Sequence, residues 1–343
     1  MEKRTGLIIL LSVLLILIII VATGTGALAI HPLQVVAILL GKIGMHLPVA
    51  YDETMPAILW FIRLPRVILA VLIGSGLAVA GAALQGLFRN PLADPTLIGV
   101  SAGASFTAVL MILLQASVPV LRNMYIMNIA TFGGAFVTAL IVFRISRTGG
   151  QAMMTTMLLA GVAINALCNA MTGFLTYNAN EEQLRSITFW TLGSLGGASW
   201  QTVSGVLPFI LLPVILLPRT AQALNVFALG EREAMHSGVK TAALKTQLII
   251  CATMAVAAGV AVAGIIGFVG LVVPHIIRQI AGPDHRILIP CSAITGAILL
   301  TLADLISRTV AAPAEVPVGI VTALVGTPVF IWLIIKQKKL TIA

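Results

Sequence analysis

The chain has little charge. Of its 343 residues, 59% are hydrophobic and only 9% are Asp, Glu, Lys or Arg. An average soluble domain is about 25% charged, so this shortage excludes a water-soluble globular protein. Cysteine is also scarce: Cys168, Cys251 and Cys291 lie inside apolar blocks and show no paired spacing. We therefore predict small buried side chains there, and neither a disulfide nor a metal site.

Motifs for nucleotide and metal chemistry are missing. The sequence contains no G-x-x-x-x-G-K-[ST] and no H-E-x-x-H, so we expect neither a P-loop nor a zinc-protease site. We predict a chain that is not an enzyme, has no catalytic residues and binds no cofactor or metal. Any dependence on ATP must then come from a separate subunit. An intramembrane enzyme is a weaker alternative, because no acid–base pair stands out.

What the chain has is long apolar blocks, with a mean hydropathy of +1.09. The blocks are long enough to cross about 30 Å of hydrocarbon as helices, and the first follows the N-terminus directly, as a span rather than a signal peptide. We predict an all-α polytopic membrane protein in which residues 1–343 form a single transmembrane domain of about ten helices. The predicted spans lie near 7–28, 67–88, 96–116, 128–144, 153–176, 202–218, 246–263, 265–281, 288–306 and 316–335.

The net charge of +9 follows the predicted topology. With both termini in the cytoplasm, 14 of the 20 Lys and Arg residues fall in cytoplasmic segments, as the positive-inside rule requires. The same rule accounts for the basic balance without nucleic acid as a partner. The surrounding lipid is the expected partner of the apolar surface.

One cytoplasmic segment, about 219–245, is longer than a connection between neighbouring helices needs. It is polar, charged and locally helical, with glycines near both ends of its central part. It is either a solvated loop with a short amphipathic helix or a docking element for a cytoplasmic partner. The candidate docking residues are Ala228, Leu229, Gly230, Glu231, Arg232, Ala234 and Gly238.

The fifth predicted span carries a polar stripe. Asn165, Asn169, Thr172 and Thr176 recur at spacings of four, three and four residues, which places them on one side of a helix. Such a stripe is costly against lipid, so it faces another helix or a water-filled cavity. Hydrogen bonding between helices and a neutral translocation path both fit the pattern.

Charged residues on the predicted outer side need a separate explanation. Arg63, Arg66 and Arg308 run against the positive-inside bias, and they can contact either lipid phosphates or the carboxylates of an external protein. Asp304 lies within the ninth span, four residues before Arg308, which favours an ion pair between the two. An ion-coupled secondary transporter that uses Asp304 as its coupling acid is the alternative.

Together these segments resemble the FecCD-type permeases, the membrane subunits of ABC importers for iron-siderophores, haem and cobalamin. The resemblance extends over nearly the whole chain in the order of the family. It is carried by Arg63–Arg66, Gly81–Gln85, Arg89–Pro95, Gly99–Ala104, Leu159–Gly161, Ala228–Gly238, Gly267–Leu271, Pro274–His275, Asp284–Arg286, Ala303–Asp304, Glu315–Gly319 and Thr327–Phe330.

The resemblance implies a type II importer permease in the bacterial inner membrane. It implies a homodimer with the transport path on its two-fold axis, lined by the fifth helix and therefore by the Asn165–Thr176 stripe. Two ATPase subunits, which use the ATP, would dock on the Ala228–Gly238 loop. A periplasmic binding protein would dock through its glutamates on Arg63, Arg66 and Arg308.

The segment that follows the fifth span narrows the resemblance. Residues Glu182–Trp190, Thr191–Ser194 and Ala198–Trp200 are most similar to the haem branch of the family. Haem, or a related iron chelate, is therefore the expected cargo, moved from periplasm to cytoplasm by alternating access. None of the identified path residues by itself distinguishes haem from a siderophore or cobalamin.

Overall fold

The structure, a computed structural model, describes residues 2–26, 28–42, 44–45, 47–115, 117–148 and 151–342. Within these ranges the chain is mostly helical, and short 3₁₀ turns precede α5 and α6. The helices are α1 Glu2–Gly24, α2 Pro32–Lys42, α3 Met55–Ile58, α4 Leu64–Phe88, α5 Val100–Leu114, α6 Met124–Ile145, α7 Met154–Tyr177, α8 Glu181–Leu192, α9 Trp200–Arg219, α10 Ala221–Ala228, α11 Glu231–His236, α12 Thr241–Ala263, α13 Val269–Ala281, α14 His285–Thr309 and α15 Val318–Ile342.

Seven helical segments of the described chain are long and apolar enough to cross a membrane. Three shorter apolar helices, Val100–Leu114, Val269–Ala281 and Val318–Leu333, coincide with the predicted third, eighth and tenth spans. The membrane-protein class therefore agrees with the prediction. The count of ten crossing helices stays a prediction, because α5 and α13, with 15 and 13 residues, are shorter than a full span.

The chain between the first two predicted spans is not only a connection, because it contains helices. It contains α2, and the helix of the second span begins at Met55 rather than near residue 67. A π-helical turn at Leu59–Arg63 joins α3 to α4, and the Leu64 amide donates to the Leu59 carbonyl five residues back. The wider turn stands immediately before Pro65, whose ring lacks the N–H of a regular helical bond.

Two further elements lie outside the predicted spans. The amphipathic helix α8 begins with a capping box, in which the side chains and backbone amides of Asn180 and Gln183 bond reciprocally. A small antiparallel pair of strands, β1 Arg147–Thr148 and β2 Gln151–Ala152, directly precedes α7. Both lie at helix ends, where a hydropathy pattern carries little information.

Helix α4 lies at the centre of the bundle, packed against α9, α12, α13 and α14. Glycines allow the closest approaches: a Cβ at Gly81 would lie 1.8 Å from the Gly270 carbonyl oxygen, and one at Gly74 would lie 2.3 Å from that of Gly296. Gly74 and Gly81 are two helical turns apart on α4. Close backbone contact of this kind holds membrane helices together.

The segment 219–245, predicted to be cytoplasmic and locally helical, contains short helices. Helices α10 and α11 fill most of it, and α12 begins at Thr241. The three cysteines are buried and free, as their positions in apolar blocks predicted.

Candidate functional site

The polar stripe of α7 separates into two parts. The Thr172 hydroxyl donates to the Cys168 carbonyl and the Thr176 hydroxyl to the Thr172 carbonyl, each at 2.8 Å. These bonds stay within α7, so the two threonines present mainly their methyl groups to the outside. Only Asn165 bonds to another element, donating from Nδ2 to the Thr96 carbonyl at 3.1 Å.

Asn165 and Asn169 line a groove of about 240 Å³ beside α5. Its lining is made of neutral side chains: Thr96, Ser101, Ala102, Ser105, Asn165, Asn169 and Ile265. The Asn165 Oδ1 atom is buried without a hydrogen-bond partner among the described residues, although buried polar atoms are usually paired. The part of the stripe formed by Asn165 and Asn169 is thus a neutral polar surface with an unused hydrogen-bond acceptor.

The remainder of α7 is unusually exposed for an apolar helix. Only 11% of its most apolar 18-residue stretch is buried, against 78% for the Met55–Phe88 span. Large side chains on it, such as Leu159, Val162 and Phe174, lie at 60–70% exposure (68%, 61% and 69%). Lipid or a second protein surface must cover them, since a contiguous apolar patch is unfavourable in water.

On the opposite side of the fold, Arg63 is buried rather than displayed. Its guanidinium donates to the carbonyls of Thr23 at 2.9 Å and Gly24 at 2.7 Å, and also to that of Leu28. The side chain therefore satisfies the carbonyl groups at the end of α1, which have no partner within that helix. It fixes α1 to the helix of the second span.

Arg66 stands at the centre of an ion network. Its Nε donates to Asp304 Oδ1 at 2.9 Å, and Nη1 and Nη2 donate to the two Glu315 carboxylate oxygens at 2.8 and 3.0 Å. Arg308 Nε lies 3.6 Å from Asp304 Oδ2, which confirms the expected pair of Asp304 and Arg308. The Arg66 partners were missed, because both are distant in sequence.

The network also reaches α1. Arg308 donates to the Thr25 carbonyl at 3.0 Å and to the Ala22 carbonyl. Among the acidic members, the Asp304 side chain is 1% exposed and that of Glu315 is 45% exposed. The hydrogen bonds from Arg66 hold the pKa of the Glu315 carboxyl below its usual range. Glu315 is thus the member of the network that an outside partner can reach.

The predicted docking residues lie in and beside α10 and α11, which together form a partly exposed projection. Leu229 is 77% exposed, whereas Ala234 is fully buried. Gly230 and Gly238 bracket α11 with φ angles of 142° and 83°, a region that side chains other than glycine avoid. The remaining members, Ala228, Glu231 and Arg232, are placed at or beside the ends of α10 and α11.

Two side-chain bridges fix this projection to the rest of the chain, and neither was predicted. Asn225 of α10 donates to Asp284 at 2.7 Å and accepts from the His285 amide at 2.9 Å. Lys245 of α12 donates to Glu231 Oε1 at 2.5 Å and to the Ala152 carbonyl at 2.9 Å. The sequence signal that could have predicted the second bridge is a lysine at the border of an apolar block.

Comparison with known proteins identifies the class to which this arrangement belongs. The profile of the FecCD transport family matches residues 14–336, and the chain belongs to that family. It is therefore the permease of an ABC importer, like the other members of that family. A solved structure described as an inward-facing conformation of a metal-chelate type ABC transporter shares the fold, with a TM-score of 0.85, 32% identity and coverage of 97% of this chain and 99% of that chain.

Three individual relatives match this chain over most of its length. The hemin transport system permease protein HmuU of Yersinia pestis is 47% identical over 81% of this chain and 83% of its own length. The cobalamin import system permease protein BtuC of Halobacterium salinarum is 43% identical over 82% and 74%. The uncharacterized ABC transporter permease protein YvrB of Bacillus subtilis is 42% identical over 84% and 81%. These likenesses do not favour an ion-coupled carrier, and Asp304 is already paired with two arginines.

Proposed function

We propose that this permease imports haem, or a closely related iron chelate, from the periplasm to the cytoplasm. The observation that carries the proposal is the higher identity to the hemin permease, 47%, than to the cobalamin permease, 43%. The neutral groove beside Asn165 and Asn169 supports it, because a weakly binding wall allows a bulky cargo to leave again.

The proposed assembly is a homodimer of ten-helix subunits with both termini in the cytoplasm of a bacterial cell. In it, the exposed face of α7 meets its counterpart and the two α7 helices line the path. The Asn165–Thr176 stripe then faces the cargo, and α7 supplies the gate. The support for this arrangement is the low burial of α7 in the single chain, which leaves an apolar helix without a protein neighbour on one side.

The proposed partners occupy the two ends of the permease. Two ATPase subunits would dock on the projection from Ala228 to Gly238, which exposes Leu229 and Arg232. A periplasmic binding protein would dock above Arg63, Arg66 and Arg308. Because these arginines have internal partners, we propose that a docking carboxylate competes with Glu315 for Arg66. Binding of ATP would shift the equilibrium between two gate states, and the permease would supply no covalent chemistry.

Reconstitution tests the proposed cargo. The permease would be placed in vesicles with its ATPase and binding protein, and ATP-driven uptake of haem, a ferric siderophore and cobalamin would be compared. We expect haem uptake to exceed the others at equal concentration. Preferential uptake of cobalamin or a siderophore would overturn the haem assignment, and uptake that continues without the ATPase would overturn the importer mechanism.

Charge reversal in the cytoplasmic projection tests the docking surface. Arg232→Glu places a negative charge on an exposed side chain of α11 and should reduce ATPase binding. Arg286→Glu, at an exposed residue in the first turn of α14, is the matched control. Equal ATPase binding by wild type and Arg232→Glu would remove Arg232 from the docking surface.

A further inference from the structure

Lys245 is a buried ammonium at the point where three elements meet. The residue is 2% exposed and lies in the second turn of α12. Its Nζ atom donates to Glu231 Oε1 at 2.5 Å and to the Ala152 carbonyl oxygen at 2.9 Å. A buried charge is stable only while it keeps such partners, so the three groups are constrained to stay together.

The two acceptors belong to different elements of the proposed transport machinery. Glu231 is the first residue of α11, within the proposed ATPase docking surface. Ala152 ends the strand β2, and α7 begins two residues later at Met154. The Met153 amide donates to the Ser146 carbonyl at 3.0 Å, which holds this junction rigidly against the end of α6. One ammonium therefore joins the docking surface to the cytoplasmic end of the gate helix.

The other bridge of the projection reaches a different part of the fold. Asn225 bonds to Asp284 and His285 at the start of α14, and α14 packs on the central helix α4. That bridge attaches α10 to the buried core of the bundle. The Lys245 bridge attaches α11 to α7, the helix with the fewest buried residues among the long spans apart from α1.

We propose that Lys245 is the positioning residue that transmits movement of α11 to the cytoplasmic end of α7. When the docking surface moves, Glu231 carries the ammonium with it, because separating the pair would leave a buried charge without a partner. The ammonium in turn pulls the Ala152 carbonyl and the start of α7. This inference rests on the proposed function, since it requires an ATPase on the projection and a gate formed by α7.

The experiment measures cargo moved per ATP hydrolysed in vesicles that contain the whole importer. Lys245→Met removes the ammonium but keeps an unbranched apolar side chain of similar length. We expect assembly with the ATPase and ATP hydrolysis to persist, while cargo per ATP falls roughly tenfold, within the usual range of coupling between sites. Lys245→Arg, which retains the charge and its donors, should restore part of the ratio.

Two further variants separate coupling from stability. Glu231→Gln should lower the ratio in the same direction, and the double variant Glu231→Gln with Lys245→Met should be no worse than Lys245→Met alone, since both act through one contact. Arg286→Met removes a positive charge from the same side of the protein without touching the bridge, and it should leave the ratio unchanged.

Unchanged cargo per ATP in Lys245→Met would overturn the inference. Should that variant fail to assemble, Glu231→Gln decides instead, because its side chain is partly exposed and tolerates the change; a wild-type ratio there overturns the inference as well. A wild-type chain that moves no cargo with ATP would contradict the proposed function itself, which is a distinct result.

Discussion

Helices α4 and α7 are similar in sequence character and opposite in environment. Both are apolar and of nearly equal length, yet 78% of the most apolar stretch in the Met55–Phe88 span is buried and 11% in α7. Helix α4 touches two neighbouring helices at Gly74 and Gly81, whereas α7 makes one comparable contact, at Gly161 against the Leu97 carbonyl, and otherwise presents large exposed side chains and a neutral polar stripe. The difference indicates that α4 holds the subunit together, and it leaves the exposed face of α7 available for the partner and the path proposed above.

The largest effect is expected from a glycine on α4. Gly81→Ala places a Cβ only 1.8 Å from the Gly270 carbonyl oxygen. Because that oxygen belongs to the backbone, the clash can be relieved only by moving the two helices apart. We expect a loss of about 3 kcal/mol or more in the free energy of unfolding, measured by denaturation in detergent micelles. On α7, Gly173→Ala meets nothing within 4 Å and should be neutral or slightly stabilising. Equal losses of unfolding free energy at both glycines would contradict the proposed difference between the two helices.

The ion network at the end of α4 should have an effect as large as that of Gly81→Ala. Asp304→Ala leaves Arg66 and Arg308 without their buried carboxylate, and we expect a loss of about 3–5 kcal/mol in unfolding free energy. The comparison on α7 is Thr172→Val, whose hydroxyl bonds only within its own helix. Thermal denaturation in lipid nanodiscs measures both. A variant of Asp304 as stable as wild type would show that the network does not hold the helices together.

For the rate of transport, a substitution on α7 should have a larger effect than one on α4. Asn169→Leu narrows the neutral groove beside α7 and should reduce the uptake rate about tenfold, equivalent to about 1.4 kcal/mol in the barrier, without changing the melting temperature. Ile68→Leu, a volume-conserving change on α4, is the control and should leave uptake unchanged. Undiminished uptake by Asn169→Leu would remove this residue from the path.

The smallest effect is expected at Glu315. Its pKa is lowered by the hydrogen bonds from Arg66, so its contribution is present above the pKa of an unfolded glutamate and is lost as the pH falls through the lower folded value. Because 45% of the side chain is exposed, the contribution is about 1 kcal/mol or less. Glu315→Gln should therefore flatten the acid side of the melting temperature profile. If the melting temperature of Glu315→Gln falls with acid as steeply as that of wild type, other carboxylates cause the fall.

The sequence predicted the polar stripe of α7, but it did not predict the central position of α4. The spacing of Asn165, Asn169, Thr172 and Thr176 predicted one face of α7; the two asparagines line a common groove, whereas the two threonine hydroxyls bond within the helix. Hydropathy could not show that α4 is central, since lipid is as apolar as a protein interior and both environments select the same residues.

The contacts of charged residues were the least predictable. Arg66 pairs with residues 238 and 249 positions away, and no local pattern connects such partners. Asp304 with Arg308 was predictable because four residues make one helical turn. Lys245 was visible only as a charge at the border of a span, and its bridge to Ala152 depends on a hairpin that hydropathy does not reveal.

The glycine contacts of α4 with α13 and α14 also determine how the subunit should respond to temperature. A soluble core is held by the release of water, a driving force that fades on cooling. The contacts at Gly74 and Gly81 are backbone against backbone, formed between helices that lipid already surrounds, and they depend on close van der Waals packing instead. The centre of this permease should therefore keep its strength in the cold, while the projection formed by α10 and α11, which is partly exposed, loosens first.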